Sequence, residues 1–422
     1  MANEFSKEER VAFETILEGF QDQLVLSKNV AVYNTDQSMM ERAGNTIWRP
    51  QPYIAQSFDG EDQSANFKEY TQQSVPATIG FKKSVPWLLS AAELRDALQE
   101  ERLGDAAKQK LASDINRAVL DVASLQGTLV VKRAAAATGF DDVALCEAIM
   151  NEQGVPSYDR YLALSTRDYN GMAANLASRQ TMNGKPLTAY EKAYVGQIAS
   201  FDTFKLDYAR RSPAAAGGAA ITMSTLPAGV NVYVPKATSV ATTGERGNVD
   251  NRYQTITTTA TANVVAGDSF TIANVNAVHH ITKQDTGQLK TFRVIQILTG
   301  TTMVISPPLI TGQGATDAEL QQQNCVVNVA AANAAIVFLN TVAAQTNAFW
   351  QKDAIEILPG RYAVPTDGGP SVMRGTTDQG IELVMQKSYD IKTMKTLYRL
   401  DTLFGVVNKA PEMSGIILFS QT

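Results

Sequence analysis

The chain carries little of what catalysis uses. Across 422 residues there are two histidines, His279 and His280, two cysteines, Cys146 and Cys325, and three tryptophans. The cysteines are far apart and outside any metal-ligand spacing, so they are expected to be reduced, buried and structural, as in a cytoplasmic protein. No GxxxxGK[ST], no GxGxxG after a strand, no GxSxG and no HExxH occurs. The adjacent histidines fall in what reads as a strand or its edge, where neighbours face opposite ways and cannot easily share a metal ion. They are expected at a surface or edge. General-base work would fall to carboxylates, and no motif singles out a pair of them. No catalytic, cofactor-binding or metal-binding residue is assigned.

Long apolar runs are absent too. No stretch approaches the roughly 18 apolar residues of a membrane span, so no membrane partner is expected. The start, MANEFSKEERVAFETIL, is acidic and lacks the apolar run of a signal peptide. The chain is expected to keep its N-terminus. A net charge of -5 and a pI near 5.3 argue against a surface that grips nucleic acid. They leave room for a protein that surrounds it.

What is present is an ordinary folded composition, 44% hydrophobic and 19% charged, long enough for about two or three domains. Phe13, Ile16, Leu17, Phe20 and Leu24 recur at helical spacing, which predicts an amphipathic helix over about 6–27. Glu14, Glu18 and Asp22 follow one another at i, i+4 on its polar flank; that spacing is mildly unfavourable for like charges. A strand is read over Asn45–Ala55 and a second extended run over Phe67–Phe81, with a turn at Asp59-Gly60 between them. This excursion is too thin to bury a core and must lie on something else. Ser90-Ala91-Ala92-Glu93 has capping-box spacing. A long helix over 105–126 carries Leu111, Ile115, Val119, Val122 and Leu125 on one stripe, and residues 140–207 read as mixed helix and strand.

Composition then shifts. Between Ser212 and Gln351 twelve of 140 residues are charged, about 9%, against 67 of the other 282, about 24%. The segment opens with SPAAAGGAA and continues as TITTTATA, SFTIANV, TFRVIQIL, TMVISPPLI, NCVVNVA and AAIVFLN. Such β-branched alternation with turn signals predicts a compact all-β module, a small barrel or sandwich. Mixed sequence resumes at Phe349-Trp350, so the module is inserted into a parent domain. At its near end GNVDNRYQTITTTATA places a charged knot, Asp250-Asn251-Arg252, at the foot of a threonine-coated strand.

Four stretches resemble, in order and spacing, the major coat protein of short-tailed phages of the Salmonella-infecting type: NTIWRP (Asn45–Pro50), AAELRD (Ala91–Asp96), GNVDNRYQTIT (Gly247–Thr257) and TNAFWQKDAIEI (Thr346–Ile357). The resemblance is poorest over about 213–243. It implies an α+β fold, the tailed-phage major-capsid fold also used by encapsulins and herpesvirus capsid floors. The implied divisions are an N-terminal arm over 1–35, then 36–135 with the extended loop (50–82) and the peripheral domain with its spine helix (105–126). The axial domain follows in two parts, 136–212 and 346–385, interrupted by the inserted β-barrel at 213–345. Residues 386–422 return to the peripheral domain.

The resemblance also implies partners and sites. A loop from the inserted barrel reaches a neighbouring capsomer, here with its tip at Thr242–Arg246. Arg246 stands where the family carries a basic residue. The family's preceding acidic residues are replaced by Ala241 and Thr243, leaving Glu245 as the acidic candidate. Asp250 and Arg252 match positions at the foot of the loop and are expected to brace it. Glu14 and Glu18 match acidic positions expected to dock the basic end of a separate scaffolding protein. Copies of the chain would form hexamers and pentamers of an icosahedral shell, with a portal protein at one vertex. The shell would assemble in the host cytoplasm and enclose double-stranded DNA without reading its sequence. Two alternatives share parts of this pattern: an encapsulin-like nanocompartment, and an enzyme with an appended β-domain.

Overall fold

The computed structural model describes all residues except 1–4, 6, 34–45, 65, 91–96, 178–195, 207, 217–220, 224–232, 313–315, 329–332 and 365–369. The chain is α+β and divides into two discontinuous units. One comprises Met1–Ile47, Ala77–Leu120 and Ile355–Val407; the other comprises Trp48–Pro76, Asp121–Ala354 and Asn408–Thr422.

The first unit is built on a six-stranded sheet. Its order is Ala31–Val32, Ile355–Pro359, Lys395–Asn408, Glu382–Asp390 and Ser371–Thr376, with Phe81–Ser90 also paired to the long strand. Cross-strand aromatic pairs fix that last register: Trp87 stacks on its partner Tyr398 at 5.7 Å and Phe81 on Phe404 at 5.2 Å. Helix α1 (Lys7–Gln23) buries Phe13, Ile16 and Phe20, an i, i+3, i+7 stripe worth roughly 2 kcal/mol per side chain. Its last turn is closed from outside the helix. Asn116 Nδ2 donates to the Gln23 carbonyl at 2.9 Å, and Asn116 Oδ1 accepts from the Leu26 amide at 3.2 Å. Asn116 belongs to helix α2 (Ala97–Gln126), which begins eight residues before the expected 105. Its first turns, ALQEERLG, are polar, so no apolar period marks them, yet Ala, Leu, Gln, Glu and Arg are strong helix formers.

The second unit holds a mixed six-stranded sheet, ordered Leu129–Lys132, Ser414–Leu418, Asn347–Gln351, Arg160–Ser165, Phe201–Leu206 and Gln197–Ile198. Three of the four inner strands, those from 414, 347 and 160, are buried at every position, because both faces are covered there. Helices α3 (Phe140–Glu152) and α4 (Thr166–Ala177) contribute Val143, Cys146, Met150 and Met172 to its core, against Leu162, Phe201 and Phe349. Gly415 pairs with Leu129 where any Cβ would collide with the Leu129 carbonyl, so close strand approach requires glycine.

The chain leaves this sheet and returns to it through two short strands paired with each other, Arg211–Ser212 and Ala344–Gln345. Between them lies the inserted barrel. Its strands run in the order Gln254–Thr257, Thr302–Ser306, Asp285–Ile297 and Ser269–Val278, the last pairing with both Cys325–Val327 and Ile336–Phe338. Bridges Met223 to Thr258 and Thr222 to Ala335 close the ring. Strand Ser269–Val278 changes partner at Asn274, whose φ of 65° kinks it between its two neighbours. Inside are Phe270 and Phe292, stacked at 5.6 Å, with Ile256, Ile272, Val294, Met303 and Ile305.

Three expectations need correction. The module is not all β: helix α5 (Asp317–Gln322) sits in it, opened by a capping box in which Thr316 accepts from the Glu319 amide at 3.3 Å. The histidines lie just past the end of strand Ser269–Val278 and not within it, and both are half-buried, the His280 side chain 18% exposed. Within the excursion, strand pairing among the described residues is confined to Thr46–Pro50 and Ser74–Thr78, and the described residues of 51–73 form no strand. Ser90 ends a strand, while Ala91–Glu93 of the expected capping box lie outside the described residues, as do the Ala91–Asp96 and Asn45 parts of the resembling stretches.

Candidate assembly surfaces

The stretch from Thr238 to Asn248 is exposed at every position. Strands Thr238–Val240 and Arg246–Asn248 pair antiparallel, with Val240 opposite Arg246. The turn is closed by the Ala241 amide donating to Glu245 O and the Gly244 amide donating to Ala241 O, both at 2.9 Å. Gly244 has φ of 86°, a conformation that costs glycine nothing. Glu245 and Arg246 therefore stand at the tip with Val240, which is 63% exposed. An isolated two-stranded ribbon is marginal in water, so its direction must be set at its foot.

The foot is where the charged knot acts. Asp250 and Arg252 form a forked ion pair: Arg252 Nε donates to Oδ1 at 2.9 Å and Nη2 to Oδ2 at 2.6 Å. The third guanidinium nitrogen, Nη1, donates to the Asn408 carbonyl at 2.7 Å. The Arg252 side chain is 7% exposed. Between the two charges, Asn251 ties down the other leg. Its Oδ1 accepts from the Lys236 amide at 3.1 Å and from the Tyr233 hydroxyl at 2.9 Å, and its Nδ2 donates to Lys236 O at 2.9 Å. Burial, reinforced by Asp250, pushes the Tyr233 hydroxyl up to about 12, so it remains a donor at ordinary pH. Asn251 was named from sequence only as the middle of the knot, with no role, and Tyr233 was not singled out. The DNR triplet at the start of a β-run was the available signal for Asn251; nothing pointed to Tyr233, 18 residues upstream.

The barrel is fastened to the rest of its unit by a second polar set. Lys290, almost fully buried, reaches Glu412 Oε1 at 2.5 Å, and Asn324 Nδ2 donates to the same oxygen at 3.2 Å. His280 Nε2 faces Glu412 Oε2 at 3.6 Å. Thr291 donates to the Thr128 carbonyl at 2.6 Å, and Arg293 to the Ser124 carbonyl. Burial drives the His280 imidazole down to about 4; Glu412 pulls the other way, and Lys290, Lys283 and His279 add to the lowering. At Glu412 burial raises the carboxyl, but Lys290, His280 and Lys283 overcome it and hold the group below its usual range. Burial also lowers Lys283, to about 8. The junction thus brings Lys290, Lys283 and His280 around one carboxylate, that of Glu412.

Glu14 and Glu18 lie exposed on α1, opposite its buried stripe; of the Asp22 side chain nothing is described. On the same helix Glu9 pairs with Lys387 at 2.5 Å. The tip and its foot belong to the second unit, and the acidic flank to the first. Among the described residues no group of three His, Cys, Asp or Glu could hold a metal ion. Both cysteines are free and buried, and burial raises both thiols, Cys325 to about 12.

Several solved structures are similar to this chain. One from Mycobacterium phage Che8 is 9% identical, with 92% of this chain and 93% of that chain covered and a TM-score of 0.44. A virus-like particle from Pyrococcus furiosus is 9% identical over 96% and 98%, with a TM-score of 0.39. The CUS-3 coat protein I-domain is 37% identical over 29% of this chain and 98% of that one, with a TM-score of 0.23. The sequence matches the family described as P22 coat protein - gene protein 5 over residues 1–420. The chain belongs to that family, and its work is that of the major capsid protein of a tailed phage, with the fold such proteins share. The nanocompartment alternative is not favoured.

Proposed function

We propose that this chain builds the icosahedral shell of a phage in the host cytoplasm, around double-stranded DNA, with a separate scaffolding protein and a portal at one vertex. The observation that carries the reading is the hairpin: eleven consecutive exposed residues on a closed barrel, aimed by a foot whose arginine is almost fully buried. In the shell its tip meets a neighbouring capsomer through Glu245 and Arg246, braced by Asp250 and Arg252. Each exposed charge pair adds at most about 1 kcal/mol, and repetition over a closed surface multiplies the gain. The exposed pair Glu14 and Glu18 offers the basic end of the scaffolding protein an acidic face. The divisions into arm (1–35), extended loop (50–82), peripheral, axial and inserted domains (213–345) describe the moving parts, and the function asks no catalysis of them. Maturation is then a rearrangement of rigid parts about hinges.

Electron microscopy of the chain coexpressed with its scaffolding protein tests this. Closed particles tens of nanometres across are expected; dispersed single subunits under all assembly conditions would refute it.

A further inference from the structure

We propose that the inserted barrel positions the extended loop of its own subunit, with Gln321 and Asp317 of helix α5 as the positioning residues. The inference rests on the reading that this loop reaches a neighbouring subunit in the shell, and adds what sets its course beforehand.

The described residues between Gln51 and Gln73 form no strand, yet their path is specified. Its two roots are joined by the Gln51 amide donating to Gln73 O at 2.9 Å, and Gln51 Nε2 donates to the Lys409 carbonyl at 2.6 Å. Farther out, Gln321 takes over. Its side chain is buried, and its amide makes two bonds to the loop backbone: Nε2 donates to Glu69 O at 3.0 Å, and Oε1 accepts from the Thr71 amide at 3.2 Å. These are the groups an extended chain presents along one edge, so a single glutamine stands in for a strand partner. Lys68 adds a lateral tie to Asp317, Nζ to Oδ1 at 2.7 Å.

Because Gln321 binds backbone, it fixes the direction of residues 68–71 without engaging their side chains. Phe67 is 87% exposed, and Tyr70, 49% exposed, meets Tyr53 of the same loop edge to face with ring centres 6.3 Å apart. Two aromatics held outward on a tethered strap present apolar surface at reduced ordering cost, which is what preorganised contact requires. Helix α5 thereby gains a purpose that the barrel's own core does not give it.

The test uses the full-length subunit, first unassembled. Gln321→Leu should speed amide exchange at Thr71 about two- to tenfold, the range expected for one neutral hydrogen bond, with exchange in the barrel core unchanged. Asp317→Lys and Lys68→Asp should each quicken chymotryptic cleavage after Phe67 and Tyr70. The double charge swap should restore resistance, which a purely structural role for either residue would not produce. Unchanged exchange at Thr71, or no rescue by the swap, overturns the tether. Shell formation is then followed by light scattering: loop-released variants should assemble more slowly than wild type. Equal rates with a demonstrably released loop overturn the positioning role alone. Failure of wild type to form particles would instead refute the shell reading and leave the tether standing.

Discussion

Replacing Arg252 by methionine keeps most of the side chain's length and removes its charge and donors. Three hydrogen bonds go, two to Asp250 and one to the Asn408 carbonyl, and the Asp250 carboxylate, 20% exposed, is left without its partner. Charge-assisted bonds are worth about 1.5–3 kcal/mol each, but an arginine with 7% exposure also sheds a large desolvation cost when removed. The net follows the pattern of a half-broken buried pair, about 3 kcal/mol lost. Since the bonds join the hairpin's foot to a distant carbonyl, the loss should be local. Amide exchange at Val249 and Asn251 should quicken by roughly a hundredfold, while strands at 160–165 and 347–351 stay protected. Glu245→Gln and Arg246→Gln, at exposed positions, should change subunit stability by less than about 0.5 kcal/mol. Hydrogen exchange with mass-spectrometric readout on the unassembled subunit distinguishes these. An Arg252→Met variant as stable and as protected as wild type would refute the brace. So would tip variants that destabilise the subunit as much.

Three further outcomes are expected. His280 is neutral in the fold with its pKa near 4, while unfolding returns it to about 6.5, so between those values the unfolded chain binds more protons and stability falls as pH drops. The full effect is about 3 kcal/mol; thermal melts from pH 7 to 4 should show it in wild type and much less of it in His280→Asn, and equal slopes would contradict the assignment. Glu412→Gln should cost about 3 kcal/mol in urea unfolding because Lys290 stays buried and charged, whereas Lys290→Met with Glu412→Leu should lie much closer to wild type. Binding of scaffolding protein, followed by sedimentation, should weaken as salt rises, since exposed charges are screened over about 8 Å at physiological ionic strength, and Glu14→Lys with Glu18→Lys should weaken it at all salt concentrations.

The parts of the fold that repeat a local pattern were legible in the sequence. Alternation in SFTIANV and TFRVIQIL marks barrel strands without any knowledge of partners, and Phe13, Ile16 and Phe20 mark the buried face of α1. Helix α5 was missed: Thr316 and Glu319 have capping-box spacing, but a six-residue helix is lost in a run of strands. What could not be read is contact between distant residues. Lys290 and Glu412 lie 122 positions apart, Arg252 and Asn408 lie 156 apart, and Thr71 and Gln321 lie 250 apart. His280 illustrates the consequence: beside a strand it reads as an edge residue, and only the fold brings Glu412 and Lys290 against it. The charged knot was noticed because charge is rare in that segment, but that Asn251 holds one leg and Arg252 the other depends on atoms the pattern does not carry.

The most direct trial is to compare hydrogen exchange at residues 240–248 in the free subunit and in assembled shells. If copies of this molecule meet through the hairpin, amides there should exchange freely in solution and slow by tenfold or more on assembly. Identical rates in both states would mean that the exposed tip touches nothing.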